Sequence, residues 1–144
     1  MKRLREHIGN AMGWRNDPPP APASSPEAVP LLRSVRQEKG AGGVTIVVAL
    51  AGEIDLRNSP DMRTELLDLV VRHHPAKFVL NLSEVPYMDS SAVAVMVETL
   101  QHLRRAGGKV FLTNLQPRVK GLIEIARLNT IFVICADESE ALTK

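Results

Sequence analysis

From residue 31 onward, short strand-like segments alternate with longer stretches in which apolar residues recur every three or four positions. The apolar runs Val44 to Leu50, Phe78 to Leu82, Lys109 to Thr113 and Ile131 to Ile134 predict strands, and Leu31 to Gln37, with its mixed pattern, predicts an edge strand before them. Lys39-Gly40-Ala41-Gly42-Gly43 reads as the turn that joins the first two. A first helix is expected with Ser59 as N-cap and Pro60 at the first helical position, burying Met62, Leu66, Leu69 and Val70 and stopping ahead of Pro75. A second starts at Asp89-Ser90-Ser91, buries Val93, Met96, Val97, Leu100 and Leu103, and ends with Arg104 and Arg105 before Gly107-Gly108. A third, with Pro117 near its start, buries Val119, Leu122, Ile123 and Ala126; Asp137 with Glu140 forms a capping box for a short terminal helix. Phe78 to Leu82 is nearly all apolar, as a parallel strand covered on both faces requires. The expectation is an α/β fold: one domain with a mostly parallel sheet of four to five strands, helices between them and an initial edge strand.

Residues 1 to 30 follow another pattern. Met1 to Asp17 carries Lys2, Arg3 and Arg5 but no long apolar run, which excludes a secretory signal or a membrane span there. Pro18 to Pro30 holds six of the ten prolines with Ala21, Ala23, Ser24 and Ser25, the composition of an extended linker. Leu4, Ile8 and Met12 are spaced as one face of a short helix, but the segment is brief and contains Gly9 and Gly13. The expected organisation is a disordered tail and linker over 1–30 and a single domain over 31–144.

Composition narrows the function classes. With 144 residues and 44% apolar content the chain supports one core. Aromatic residues are few, so that core must come from Val, Leu, Ile and Met. A net charge of +2 over the whole chain leaves no basic footprint for direct nucleic-acid binding. The lone Cys135, at the end of an apolar run, forms no internal disulfide and suits a reducing cytosol.

The candidate chemistry lies where strands end. Strand-helix-strand crossovers make the strands parallel, so the ends near Asp55 and Asp89 are expected on one rim, where open α/β sheets meet ligands and partners. Ser90 and Ser91 start the helix there, with Ser90 as the expected cap. Unpaired N–H groups and the helix dipole at such a start favour a phosphate. The pair Ser90 and Ser91 is therefore a candidate phosphorylation site. Catalysis is disfavoured. His7 is in the tail, His73 and His74 end the first helix, and His102 lies late in the second, so Ser91 lacks a base. No nucleophile elbow or Gly-x-x-x-x-Gly-Lys phosphate loop is present. Asp55 and Asp89 are a conceivable carboxylate dyad or weak Mg²⁺ site, but a third oxygen ligand is missing. Neither a cofactor nor a resident metal is expected.

Gly52-Glu53-Ile54-Asp55-Leu56 ahead of one helix and Asp89-Ser90-Ser91 ahead of the next, at the spacing of one βα unit, resemble the STAS domain of bacterial anti-sigma-factor antagonists over about Leu31 to Leu142. The resemblance implies partner switching. The unmodified protein binds an anti-sigma factor that is also a serine kinase, and phosphorylation of the second Ser of the motif, Ser91 here, breaks the complex. It also implies that Asp55, Asp89, Ser90, Ser91 and Ala92 form the partner surface, without membrane insertion. Family members usually have Gly where this chain has Ala92, whose methyl group is expected to stand in the way of a kinase. Other readings are a constitutive, non-phosphorylated binding module, a STAS subunit of an ABC-type membrane transporter, and a two-component receiver, the last disfavoured by the lack of an acidic pair after the first strand.

Overall fold

The computed structural model describes residues 31–40 and 42–144; the expectations for residues 1–30, including the Leu4, Ile8 and Met12 spacing, lie outside it. In chain order the elements are β1 (Leu32–Gly40), β2 (Gly43–Ala51), α1 (Ser59–His73), β3 (Lys77–Glu84), α2 (Ser90–Arg105), β4 (Lys109–Thr113), α3 (Pro117–Ile125), a 3₁₀ turn (Leu128–Thr130), β5 (Val133–Cys135) and α4 (Glu138–Thr143). The five strands lie in sequence order in one sheet. β1 pairs antiparallel with β2, and every later pair is parallel.

Side-chain alternation along the strands gives the sheet two unequal faces. Ile46, Phe78 and Val110 stand in one row and Val48, Leu80 and Leu112 in the next. These rows pack with Met62 and Leu66 of α1, Met96 and Leu100 of α2, and Val119 and Ile123 of α3 in the main core. The opposite face presents Val47, Val79, Phe111 and Cys135 and is covered by Ala141 of α4. Asn81 interrupts the apolar run of β3 on this second face, where its amide donates to Glu138 Oε2 at 2.6 Å and its carbonyl accepts the Ser83 N–H at 2.9 Å. The Lys77 ammonium donates to the carbonyls of Ala141 and Leu142, so the small helix is tied to β3 at both its ends.

Element order and most core positions follow the sequence pattern. The differences are local. β1 runs on to Gly40, because the antiparallel ladder with β2 continues to the Gly40–Gly43 pair. The N-cap of α1 is Asn58, and Ser59 is the first helical residue and is buried. In α2 the buried stripe is Ala92, Val95, Met96, Thr99, Leu100 and Leu103, whereas Val93 and Val97 are half-buried at its flanks. Leu122 is half-buried, and Ala126 is exposed because α3 ends at Ile125. β5 is shifted to Val133–Cys135 by the 3₁₀ turn ahead of it, and Phe132 is buried just before the strand. In the terminal capping box Asp137 accepts the Glu140 N–H, but the Glu140 carboxylate reaches back to the Ala136 N–H and not to the cap residue's own.

Candidate functional site

The pairing of β2 with β3 slips at its end, with a register shift between Ala49 and Ala51. Gly52 then turns the chain with φ +90°, a conformation that costs a residue with a Cβ far more than glycine, and its N–H donates to Glu84 O. Beyond that turn the two chain segments meet once more. Ile54 and Met88 form a parallel bridge in which the Ile54 N–H donates to Tyr87 O and the Asp89 N–H donates to Ile54 O, both at 3.0 Å. Ile54 and Met88 are buried beneath it. Asp55 and Asp89 each follow directly, so the structure brings the two predicted carboxylates to one rim.

Their surroundings differ. Asp89 is the N-cap of α2: its Oδ1 accepts the N–H of Ser91 at 2.9 Å, the N–H of Ala92 at 3.3 Å and the hydroxyl of Ser91 at 2.5 Å. The Ser91 hydroxyl above all, helped by the N–H groups of Ala92, Ser91 and Leu56, holds the Asp89 carboxyl below the ordinary aspartate value of 3.8. Ser90, expected as the cap, is instead the first helical residue and points to solvent. Ser91, one position on, is partly exposed.

Asp55 belongs to a loop closed by its own hydrogen bonds. Its carboxylate accepts the Arg57 N–H at 2.9 Å and forms a two-pronged pair with the Arg57 guanidinium, closest at 2.8 Å, which pulls its pKa down. Its N–H donates to Asn58 Oδ1 and its carbonyl accepts the N–H groups of Asn58 and Ser59. The Asn58 amide closes the loop by donating to Glu53 O at 2.8 Å. Asn58 thus uses its side chain within the loop and makes no side-chain cap to α1. The sequence reading of an acidic rim needs this amendment: one carboxylate is matched by a guanidinium and the other by helix N–H groups.

Ala92, expected on the contact surface, is 0% exposed and its methyl group belongs to the main core. It faces away from any molecule approaching Ser91. Arg57 and Asn58 were not singled out from the sequence, and Leu56 only as the end of the Gly52–Leu56 motif; Asn58, two residues before Pro60, carried the Asx-turn signal that marks such a loop. Nearby, Arg63 of α1 grips Glu98 of α2 with two contacts of 2.7 Å, and Arg118 of α3 lies over the Tyr87 ring at 4.8 Å. His73 closes α1 and His102 lies about 18 Å along α2 from Ser90, at the helix rise of 1.5 Å per residue. Among the described residues no group of three or more His, Cys, Asp or Glu side chains is arranged to hold a metal ion, and no helix is long and apolar enough to cross a membrane.

Fold and rim together define a small α/β domain whose distinguishing chemistry is a serine hydroxyl bound to the cap of its own helix. Residues 35–141 match the STAS domain family, and the chain belongs to it. It is 36% identical over 91 residues to the anti-sigma-B factor antagonist of Bacillus subtilis (strain 168), an alignment covering 63% of this chain and 82% of that protein. The fold is shared with the anti-sigma factor antagonist SpoIIAA in its unphosphorylated form, at a TM-score of 0.62 and 22% identity over 76% of this chain and 93% of that one. It is shared as well with the Bacillus cell fate determinant SpoIIAA in the phosphorylated form, at a TM-score of 0.57 and 21% identity over 76% of this chain and 97% of that one.

Proposed function

We propose that this chain is an anti-sigma-factor antagonist: unmodified, it binds an anti-sigma factor with serine-kinase activity through the Asp55–Asp89 rim, and phosphorylation of Ser91 by that kinase ends the complex. The observation that carries this reading is the Ser91 hydroxyl, partly exposed in the first turn of α2 and hydrogen-bonded to the cap carboxylate. The names of its relatives support the same role. A phosphate adds about −1.5 to −2 charges at neutral pH. Next to Asp89 and in a desolvated interface such charge is repelled, while the helix N–H groups supply donors that keep the modified domain folded. Because the Ala92 methyl is buried, the departure from glycine at that position leaves the kinase's approach to Ser91 open.

The test is co-expression with the candidate anti-sigma kinase, mass spectrometry of Ser91, and calorimetry of variants. Ser91→Ala is expected to bind and to take no phosphate. Ser91→Asp is expected to fold and to bind at least about tenfold more weakly, equivalent to about 1.4 kcal/mol. If both variants bind alike and Ser91 stays unmodified, the phospho-switch is wrong and a constitutive binding module is the reading that remains.

A further inference from the structure

We infer that Leu56 is the apolar anchor of the partner interface, and that the partner offers an apolar socket with a carboxylate on the edge that faces Arg118. This deepens the antagonist reading of the same rim and rests on it.

Leu56 is 74% exposed, yet it does not sit on a loose loop. The residue before it has its N–H, carbonyl and carboxylate all engaged, by Asn58, by Asn58 and Ser59, and by Arg57. The Asn58 amide ties the far side of the loop to Glu53 O, and the Ile54–Met88 bridge anchors its root on β3's continuation. An isolated exposed leucine is common on protein surfaces and needs no explanation by itself. An exposed leucine whose backbone is fixed in place by its neighbours' polar groups is different, because the ordering cost that weakens binding has already been met in the free protein. Ile125 is the control for position: it is 85% exposed but lies at the last residue of α3, about 12 Å along the helix from Pro117 and so away from the rim.

Position supplies the link to Ser91. Leu56 lies two residues past Ile54 on one side of the bridge, and Ser91 lies three past Met88 on the other, so a protein seated on the knob is also in reach of the hydroxyl. Charge supplies the chemistry of the partner. Arg57 is compensated by Asp55, but Arg118 rests on the Tyr87 ring and makes no ion pair among the described residues. Tyr87 is the residue whose carbonyl accepts the Ile54 N–H, and Arg118 lies in the first turn of α3, which follows β4, so the aromatic-supported guanidinium stands on the same rim across β3 from the loop. Of the side chains on this rim, Tyr87 and Arg118 are of the types enriched at binding hot spots, and Leu56 adds the exposed apolar area beside them on the same rim.

The experiment measures affinity for the kinase that modifies Ser91, using the full chain and the variants Leu56→Ala, Leu56→Met, Ile125→Ala, Arg118→Gln and Ser91→Asp, each checked for an unchanged circular-dichroism spectrum and melt. Leu56→Ala is expected to weaken binding at least about tenfold, with Leu56→Met restoring most of it and Ile125→Ala binding as the parent does. Arg118→Gln is expected to bind more weakly and to flatten the loss of affinity with added salt. Should Leu56→Ala bind like the parent while Ser91→Asp does not, the anchor is refuted and the antagonist reading stands. Should neither change affect binding, the anchor is refuted and so is release of the partner by charge at Ser91. A salt dependence untouched by Arg118→Gln overturns the carboxylate edge.

Discussion

The Ser91 hydroxyl donates to Asp89 Oδ1 at 2.5 Å, so the side chain proposed to receive a phosphate holds, through its own proton, the carboxylate that caps its helix. Transfer of a phosphoryl group replaces that proton. Ser91 Oγ then becomes an ester oxygen with no hydrogen to give, and a dianionic group stands beside an ionised aspartate. The proposed switch would therefore act within the domain as well as at its surface. Phosphate on Ser91 is expected to leave the fold intact but to lower the melting temperature by a few degrees relative to the unmodified chain. A melt of the phosphorylated protein at or above the unmodified value would show that the phosphate takes over the helix N–H groups without loss.

The cap assignment separates two adjacent polar residues. Asp89→Ala removes an acceptor from two helix N–H groups and is expected to lower the melting temperature by several degrees, whereas Ser90→Ala, at an exposed first-turn position, is expected to change it by a degree or less. Differential scanning calorimetry of the two variants settles this. Equal effects would return the cap to Ser90.

The same carboxylate predicts an acid limb in the stability profile. Its pKa is lowered in the folded chain, so the unfolded chain binds protons more readily, and the stabilisation is complete above the unfolded value near 3.8 and fades as pH falls through the lower folded value. Asp55, Glu98 and Glu140 are shifted in the same direction by Arg57, Arg63 and the Ala136 N–H respectively. Thermal melts are expected to be flat from neutrality down to about pH 5 and to drop steeply below about pH 4. Asp89→Asn is expected to start lower and to lose less across that limb; an unchanged drop would mean that the Asp89 carboxylate is not among the groups responsible.

Ala92 invites a substitution toward the family's usual residue. Ala92→Gly restores backbone freedom in the first turn of α2 and removes a methyl group from the main core, at a combined cost of about 1 to 2 kcal/mol. Urea denaturation is expected to show that loss. The rate of Ser91 phosphorylation is expected to stay the same, since the methyl is buried; faster modification of Ala92→Gly would show that the methyl does impede the kinase.

What was legible in the sequence came from periodicity and from apolar runs. The strand at Lys109 to Thr113 and the buried Met62, Leu66, Leu69 and Val70 of α1 are fixed by a pattern that tertiary contacts reinforce. The convergence of Asp55 and Asp89 was legible too, because parallel strands place their ends on one rim. The details that failed depend on which of several competing polar groups takes a given N–H. Asn58, Ser59, Asp89 and Ser90 are all good caps, and only the fold decides that Ser59 is buried and that Asn58 serves its loop. Arg57 could not be read as Asp55's partner from spacing alone, since residues two apart face each other only in a turn of this shape.

That pair yields the last prediction. Asp55 can serve the partner in two ways: by touching it, or by holding Arg57 and the loop that carries Leu56. Asp55→Ala is expected to leave the sheet and helices intact, since they are built from other contacts, and to weaken binding of the anti-sigma kinase by about tenfold. If its role is to hold the loop, Arg57→Ala breaks the same contact from the other side and weakens binding similarly, and the double variant is little worse than either single one, a non-additive cycle. If the carboxylate meets the partner directly, Arg57→Ala frees it and binding is unchanged or tighter. Amide exchange of residues 53 to 58 supplies the check that needs no partner. In the loop-holding case protection falls in both variants; with protection intact and affinity lost only in Asp55→Ala, the carboxylate is itself the contact.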